Sequence, residues 1–268
     1  MSVERVMKAL QPPPLSTASA GSSTLTEIGR KLFQDGYAVC PREAMLSVLR
    51  EPSLNDWDSF AASWCDLGQD TYMADGGCYR RRRFAVFEMR SDKIVREPHQ
   101  PHYQSRDYNP LNGGIARWFE PVCDAIAIHA LTLRIFRGCR RIFEEASSQP
   151  AARKVWCVEM HQFRIEANKA KAGLPTPEGI HRDGVEWVCV LLVGRSNVAS
   201  GITQIYSHTK RLGAFTLTNP LDAVFIDDTR VLHGVTPIHA LDSGSHAFRD
   251  VLVLTFGERR DGSNLSFD

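Results

Sequence analysis

Three features are absent from this 268-residue sequence, and each absence excludes a class of protein. No apolar run approaches the roughly 20 residues of a membrane-spanning helix, because the longest, Trp187–Val193, has seven. Neither charge dominates: 32 Lys and Arg stand against 31 Asp and Glu, whereas nucleic-acid-binding domains carry a clear basic excess. The N-terminus lacks the charged, apolar and small-residue succession of a signal peptide. The sequence therefore predicts a cytoplasmic protein without a membrane or nucleic-acid partner, and it leaves a homo-oligomer open.

The cysteines also lack the spacing of a zinc ribbon or a disulfide framework. Their number is odd, they are dispersed, and none forms a Cys-x-x-Cys pair. We therefore predict free thiols in a reducing compartment, at positions Cys40, Cys65, Cys78, Cys123, Cys139, Cys157 and Cys189.

The N-terminal half reads as mostly helical after a flexible leader. Residues 1–24 include the Pro-, Ser- and Ala-rich stretch QPPPLSTASAGSST and are predicted to be that leader. A helix capped by Thr26 and ended by Gly36, a strand at Tyr37–Cys40 and a helix opened by Pro41 follow. Apolar residues at helical spacing predict one or two further helices over Ile115–Phe143.

The C-terminal half changes to short runs rich in Val, Ile, Thr and aromatic residues, separated by Gly, Pro, Asn and Asp. These runs predict an α+β protein with a mainly β core, built as an antiparallel sandwich or barrel. We expect one domain over residues 25–268, with helical support over 25–150 and the β core over 151–260. The predicted strands are Val155–Ile165, Trp187–Val193, Ile202–Tyr206, Gly213–Thr218, Ala223–Ile226, Val231–Ile238 and Asp250–Phe256, preceded in the N-terminal half by Tyr79–Met89.

A candidate metal site lies in the β region. In the phrase EGIHRDG, His181 and Asp183 share a face if the segment is extended, because side chains alternate along a strand. His233, inside the apolar run VLHGV, ranks first as a third ligand, although a histidine in such a strand is usually a core residue. Together the three would form the two-histidine, one-carboxylate site of non-haem iron oxygenases. The other downstream histidines lie in loops or at a strand end: His208, His239 and His246.

Arg249 opens the otherwise apolar final strand RDVLVLTF. Burying an unpaired guanidinium is costly, so the residue needs a partner. One interpretation is a rim arginine that pairs with a surface carboxylate. The other is a clamp for a ligand carboxylate inside the barrel, which suits the planar fork of arginine.

The order of these residues resembles that of the iron(II)- and 2-oxoglutarate-dependent dioxygenases. The phrases EGIHRDGVEWVCVLLV, NVASGITQIY, IDDTRVLHGVTPI and RDVLVLTF resemble the bacterial branch that contains L-isoleucine 4-hydroxylase and hydroxylases of N-substituted amino acids. The resemblance covers roughly residues 155–256 and is weaker around YRRRRF at 79–84.

The resemblance implies a double-stranded β-helix, the jelly roll of the cupins, with N-terminal supporting helices. It implies that His181, Asp183 and His233 hold Fe(II), and that 2-oxoglutarate chelates the metal while Arg249 pairs with its distal carboxylate. With O2 as the third reactant, the expected activity is hydroxylation of an unactivated C–H bond of a free or N-substituted aliphatic L-amino acid. The gap from His233 to Arg249 is longer than in many members, which makes the arginine the less secure assignment.

Further residues are assigned from strand position. Thr203 is a candidate for cosubstrate binding, against ordinary strand polarity as the alternative. Arg83 and Arg164 are candidates for binding the small amino-acid-like substrate, although a charge run such as Arg80–Arg83 usually forms a solvated face. His102, in the PHQPHY loop, is interpreted as an exposed loop residue, with a lid as the alternative.

Two other functions stay open at this point. A cupin-like metal-binding or sensing protein would have the metal site without oxygenase turnover, but it would not need the 2-oxoglutarate clamp. A zinc hydrolase would act without oxygen.

Overall fold

Five helices and twelve strands make up the residues that the computed structural model describes, which are 17–50, 55–147 and 154–258. The helices are α1 Thr17–Asp35, α2 Arg42–Leu49, α3 Trp57–Ala62 (continued by a 3-10 turn, Ser63–Asp66), α4 Asp124–Ala127 and α5 Ala130–Ala146. The strands are β1 Tyr37–Cys40, β2 Arg80–Arg90, β3 Lys93–Arg96, β4 Val155–Ala167, β5 Trp187–Ser196, β6 Val198–Ser200, β7 Thr203–Tyr206, β8 Arg211–Phe215, β9 Ala223–Asp227, β10 Leu232–Val235, β11 Ile238–Ala240 and β12 Ala247–Glu258.

The strands form one large sheet and two small ones. The large sheet has the order β1-β9-β5-β12-β4-β2-β3, and all its pairs are antiparallel. The small sheets, β10-β7-β8 and β11-β6, carry the remaining strands. This arrangement confirms the predicted α+β jelly roll.

The large sheet separates two environments because successive side chains of a strand point to opposite faces. On β4, Trp156, Val158 and Met160 belong to the main apolar core, which they share with residues of α1, α2 and α5. Glu159 and His161 occupy the alternate positions of the same strand, so they point to the other face, where they line a cavity. The helices therefore cover one face of the sheet, and the other face is left for chemistry.

Two predictions for the N-terminal half differ from the structure. α1 begins at Thr17, so residues 17–24 of the predicted leader are helical, and residues 1–16 lie outside the described residues. No helix covers 115–123, where Arg117 pairs with the backbone of His102 instead. Ile115 and Trp118 are 47% and 55% exposed, so their helical spacing reflects no buried face.

The predicted strands are present, with adjustments. The run Val231–Ile238 divides into the end-to-end strands β10 and β11, and β6 was not predicted. β1, β2 and β3 precede residue 151 but join the large sheet, so the N-terminal half supplies three of its seven strands.

Two composition-based expectations can be compared with the fold. The seven cysteines are all free thiols, as predicted. Within the described ranges, no helix combines the length and the apolarity that crossing a bilayer requires.

Candidate metal centre and its cavity

A cavity of about 400 Å³ opens on the face of the large sheet that the helices leave uncovered. Strands β2, β4, β10 and β12 contribute its walls, and residues 102–109 of the irregular loop close part of it. His181, Asp183, His233 and Arg249 all line this one cavity. The structure thus brings the three predicted metal ligands and the predicted clamp together.

The two histidines are held by a backbone bridge. The amide of His181 donates to the carbonyl of His233, and the amide of His233 donates back, each at 2.9 Å. The Nε2 atom of His181 lies 3.5 Å from Oδ1 of Asp183, and Nε2 of His233 lies 3.4 Å from Oδ2. One carboxylate between two imidazole nitrogens is a three-donor set that suits a divalent cation.

A buried carboxylate fixes the position of Asp183. Asp228 accepts the backbone N–H groups of Asp183, Gly184 and Val185 at 3.1, 2.8 and 3.3 Å. Gly184 has φ +84°, and a Cβ atom there would lie 2.6 Å from the ring of Tyr108. The metal-facing turn therefore wraps around Asp228 and needs glycine next to Asp183, a feature that the extended His-x-Asp pattern did not predict.

The outer ring nitrogen of His181 has a hydrogen-bond partner that shows where a proton lies. Nδ1 of His181 lies 3.0 Å from the carbonyl oxygen of Gly179, which only accepts, so Nδ1 carries the proton. Nδ1 of His233 has no hydrogen-bond partner in the described residues, and Oδ1 of Asp228 lies 3.6 Å from it. Nε2 of each ring is the nitrogen that faces Asp183, and ligation of a metal there would displace any proton that it carries.

The electrostatics of the site agree with this geometry. Burial opposes ionisation of Asp183, but hydrogen bonds and positive charge from His181 and His233 hold its pKa well below the usual range. Burial also opposes protonation of His181, but the interaction with Asp183 raises its pKa to about 9. The carboxylate thus attracts positive charge strongly.

Arg249 is 2% exposed and does not lie at the rim. Its Nε and Nη2 atoms have no hydrogen-bond partner, and it forms no ion pair with any described residue. Burial, followed by repulsion from Arg195, lowers its pKa to about 10. A buried guanidinium with unmet donors in a cavity fits an anionic ligand, and the donor set fits 2-oxoglutarate.

Thr203, the second predicted cosubstrate residue, lies on β7. Its side chain is buried and its hydroxyl has no partner within the described part of the chain, but the residue does not line the cavity. Its assignment to the cosubstrate therefore stays a prediction.

The two predicted substrate arginines do not line the cavity. Arg83 donates to the carbonyl of Asp66 at 2.9 Å and to its carboxylate at 3.2 Å, on the helix-covered face. Arg164 forms a two-bond pair with Asp250, at 2.8 and 2.7 Å. Side chains alternate along β2, and Arg80 and Arg82 are the ones that line the cavity. Arg83, one residue further along the strand, therefore points to the opposite face of the sheet.

A second histidine–carboxylate group was missed. His102, Glu159 and His161 line the same cavity, and their donor atoms lie within 4.8 Å of one another. His102, interpreted from sequence as exposed, is 8% exposed. The sequence did indicate the other two residues. Glu159 and His161 are two residues apart in a strand, as His181 and Asp183 are if extended, so their side chains share a face.

Comparison with known proteins places this site in context. The chain is similar to L-isoleucine-4-hydroxylase of Bacillus thuringiensis, with 27% identity over 71% of this chain and 78% of that protein. It is also similar to 3(1)-hydroxy-L-isoleucine 4-dioxygenase of Pantoea ananatis, with 22% identity over 88% of this chain and 98% of that protein. Among solved structures, a bsmA homologue from Methylobium petroleophilum PM1 superposes with a TM-score of 0.79 at 32% identity, covering 87% of this chain and 92% of that one.

A model of the 2OG-Fe dioxygenase family matches residues 61–255, which is most of the chain and includes every residue of the candidate site. The chain therefore belongs to the 2OG-Fe dioxygenase family, and it is an enzyme that uses Fe(II), 2-oxoglutarate and O2.

Proposed function

We propose that His181, Asp183 and His233 bind Fe(II) and that the enzyme hydroxylates an unactivated C–H bond of a free or N-substituted aliphatic L-amino acid. The observation that carries the proposal is the convergence of two histidine Nε2 atoms on one carboxylate, in a cavity that also holds an arginine without an ion-pair partner among the described residues. The similarity to two enzymes named for isoleucine substrates supports the substrate class.

Each cofactor has residues that suit it. When bound, Fe(II) with 2-oxoglutarate and O2 supplies the oxidising power for C–H hydroxylation, and 2-oxoglutarate becomes succinate and carbon dioxide. Arg249 binds the distal carboxylate of 2-oxoglutarate and so fixes the orientation of the cosubstrate. Asp228 holds the turn that carries Asp183 and faces Nδ1 of His233, so it positions two of the three ligands.

The cavity also suits a substrate with a carboxylate. Arg80, Arg82 and Arg117 line it, and the one carboxylate that pairs with any of them in the described residues is Asp70, 2.7 Å from Arg80 and 3.9 Å from Arg82. Nε of Arg82 and Nε of Arg117 have no hydrogen-bond partner in the described residues, so both arginines have a donor to offer. An α-carboxylate of the substrate would accept from them.

A screen tests the proposal directly. The purified protein is given Fe(II), ascorbate, 2-oxoglutarate and O2 with a panel of free and N-acylated aliphatic L-amino acids, and succinate and a product heavier by one oxygen atom are measured by mass spectrometry. We expect succinate formation to rise with one or more panel members and the oxygenated product to form in step with it. Absence of stimulated succinate and of product across the panel would contradict the substrate class.

The metal assignment has its own test. We expect His181→Ala and Asp183→Ala to remain folded by circular dichroism and to lose Fe(II) binding in anaerobic titration. Unchanged Fe(II) affinity in both variants would remove these residues as ligands.

A further inference from the structure

The second histidine–carboxylate group is arranged around Glu159. Nε2 of His102 lies 3.6 Å from Oε2 of Glu159, and Nε2 of His161 lies 3.5 Å from the same oxygen. Both histidines are buried, and they face one another edge to face with ring centroids 5.1 Å apart. By composition alone, the three residues could hold a second metal ion.

The tautomers exclude that interpretation. Nη2 of Arg117 lies 2.8 Å from Nδ1 of His102, and Nη2 of Arg82 lies 2.5 Å from Nδ1 of His161. A guanidinium can only donate, so each Nδ1 accepts and each neutral ring carries its proton on Nε2. Turning either ring over would place a carbon atom against the arginine. The nitrogens that face Glu159 are therefore N–H donors without a lone pair for a metal.

Burial and neighbouring positive charge keep both rings neutral. Burial, then the charges of His161 and Arg82, lower the pKa of His102 well below its usual value. Burial also lowers the pKa of His161, against the raising effect of Glu159. The carboxylate of Glu159 is consequently oriented by neutral donors.

Glu159 lies near Arg82 and Arg117 and pairs directly with neither among the described residues. The hydroxyl of Thr255 donates to it at 3.3 Å, and neither lysine nor arginine forms an ion pair with it in the described ranges. A quarter of its side chain is exposed, and the exposed part faces the cavity. A carboxylate held by neutral donors in a shared cavity is suited to a cation that arrives with the ligand.

We propose that Glu159 binds the α-ammonium group of a free amino-acid substrate, with His102 and His161 as the residues that position its carboxylate. The inference rests on the proposed function, since it assigns the amine end of the same substrate. It also makes the protein an enzyme for free amino acids, because N-acylation replaces the ammonium with a neutral amide. Arg80, Arg82 and Arg117 then remain for the carboxylate end.

The test compares ligands that differ at the amine. The enzyme is loaded with Fe(II) and 2-oxoglutarate under anaerobic conditions, and ligand binding is measured by calorimetry. The ligands are L-isoleucine, N-acetyl-L-isoleucine and 3-methylpentanoate, which lacks the amine. We expect L-isoleucine to bind about 30-fold more tightly than either of the others, because loss of one partner of a buried charge pair weakens binding by at least about that factor. Equal binding of all three would overturn the proposal.

Variants assign the preference to Glu159. Glu159→Gln is expected to weaken L-isoleucine binding about 30-fold, to leave N-acetyl-L-isoleucine binding within about 2-fold, and to leave Fe(II) and 2-oxoglutarate binding unchanged. Glu166→Gln is the matched control, since Glu166 lies on the same strand but pairs with Arg81 outside the cavity. A Glu159→Gln enzyme that retains its preference for L-isoleucine would overturn the proposal.

The outcomes separate the two proposals. If N-acylated but not free amino acids stimulate succinate formation, the hydroxylase function stands and the Glu159 assignment fails. If no panel member binds or stimulates turnover, the substrate class fails and the Glu159 assignment fails with it. Metal analysis adds an independent check, because a second tightly bound metal ion per chain, lost in Glu159→Gln, would show that the group is a metal site.

Discussion

Two groups of two histidines and one carboxylate share one cavity, and their outer hydrogen bonds give them opposite chemistry. In the first, Nδ1 of His181 donates to a carbonyl oxygen, so Nε2 is the nitrogen that a metal can bind in place of a proton. In the second, Nδ1 of His102 and of His161 faces an arginine, so each Nε2 carries a proton. The same residue types thus make a metal site in one place and a hydrogen-bond donor pair in the other. The comparison shows that the hydrogen-bond partner of Nδ1 determines what the Nε2 atom of the same histidine can do.

The largest expected effect comes from removing the carboxylate of each group in turn. We expect Asp183→Ala to lose Fe(II) binding and all detectable turnover, because two imidazoles alone hold the ion weakly. Glu159→Ala should keep the full metal content and lose affinity for the substrate. Metal analysis and anaerobic Fe(II) titration on both variants check this, and equal metal loss in the two would abolish the distinction between the groups.

The next effect concerns Arg249, the proposed anion clamp in the same cavity. We expect Arg249→Gln to raise the KM for 2-oxoglutarate by about 30-fold or more, because it leaves a ligand carboxylate buried without its charge partner. Arg81→Gln is the control, since Arg81 is partly exposed and pairs with Glu166. Initial-rate kinetics with varied 2-oxoglutarate give the answer, and a KM equal to that of the control would remove Arg249 as the clamp.

A smaller effect should follow from removing the arginine that hydrogen-bonds to Nδ1 of His102. We expect Arg117→Met to free Nδ1 of His102 and to raise the substrate KM on the order of 10-fold, because it removes the orienting partner of His102 and one of the three arginines proposed for the substrate carboxylate. The nitrogen-15 spectrum of the histidines should show His102 losing its fixed Nε2–H tautomer, while the metal content is unchanged. Retention of a pure Nε2–H tautomer would show that the arginine does not set it.

The smallest effect is expected at an arginine on the wrong face. Arg83→Gln should change the substrate KM by no more than about 2-fold, because Arg83 does not line the cavity. It should lower the unfolding free energy by about 1–3 kcal/mol, since charged hydrogen bonds to Asp66 are lost. Steady-state kinetics and thermal unfolding measure the two quantities, and a large rise in KM would instead return Arg83 to the substrate site.

Most of the β core could be predicted because its strands are short runs of branched and aromatic residues bounded by turn residues. The helical spacing of Ile115 and Trp118 misled because spacing indicates a helix only where one face is buried, and both residues are exposed. The metal group was predictable from His181-x-Asp183 and His233 because their order along the chain matches a known pattern. The donor group was not, since His102 comes from a loop more than fifty residues before Glu159.

The sequence by itself determined the strand alternation, three candidate metal ligands and the presence of an arginine at the start of the last strand. Only the tertiary structure decided the phase of that alternation, and hence that Arg82 rather than Arg83 points into the cavity. A strand's period of two allows both phases, and the choice is made by which face the helices cover. The tertiary structure also placed an arginine against Nδ1 of His102 and of His161 and a carbonyl oxygen against Nδ1 of His181, which fixed whether each Nδ1 accepts or donates.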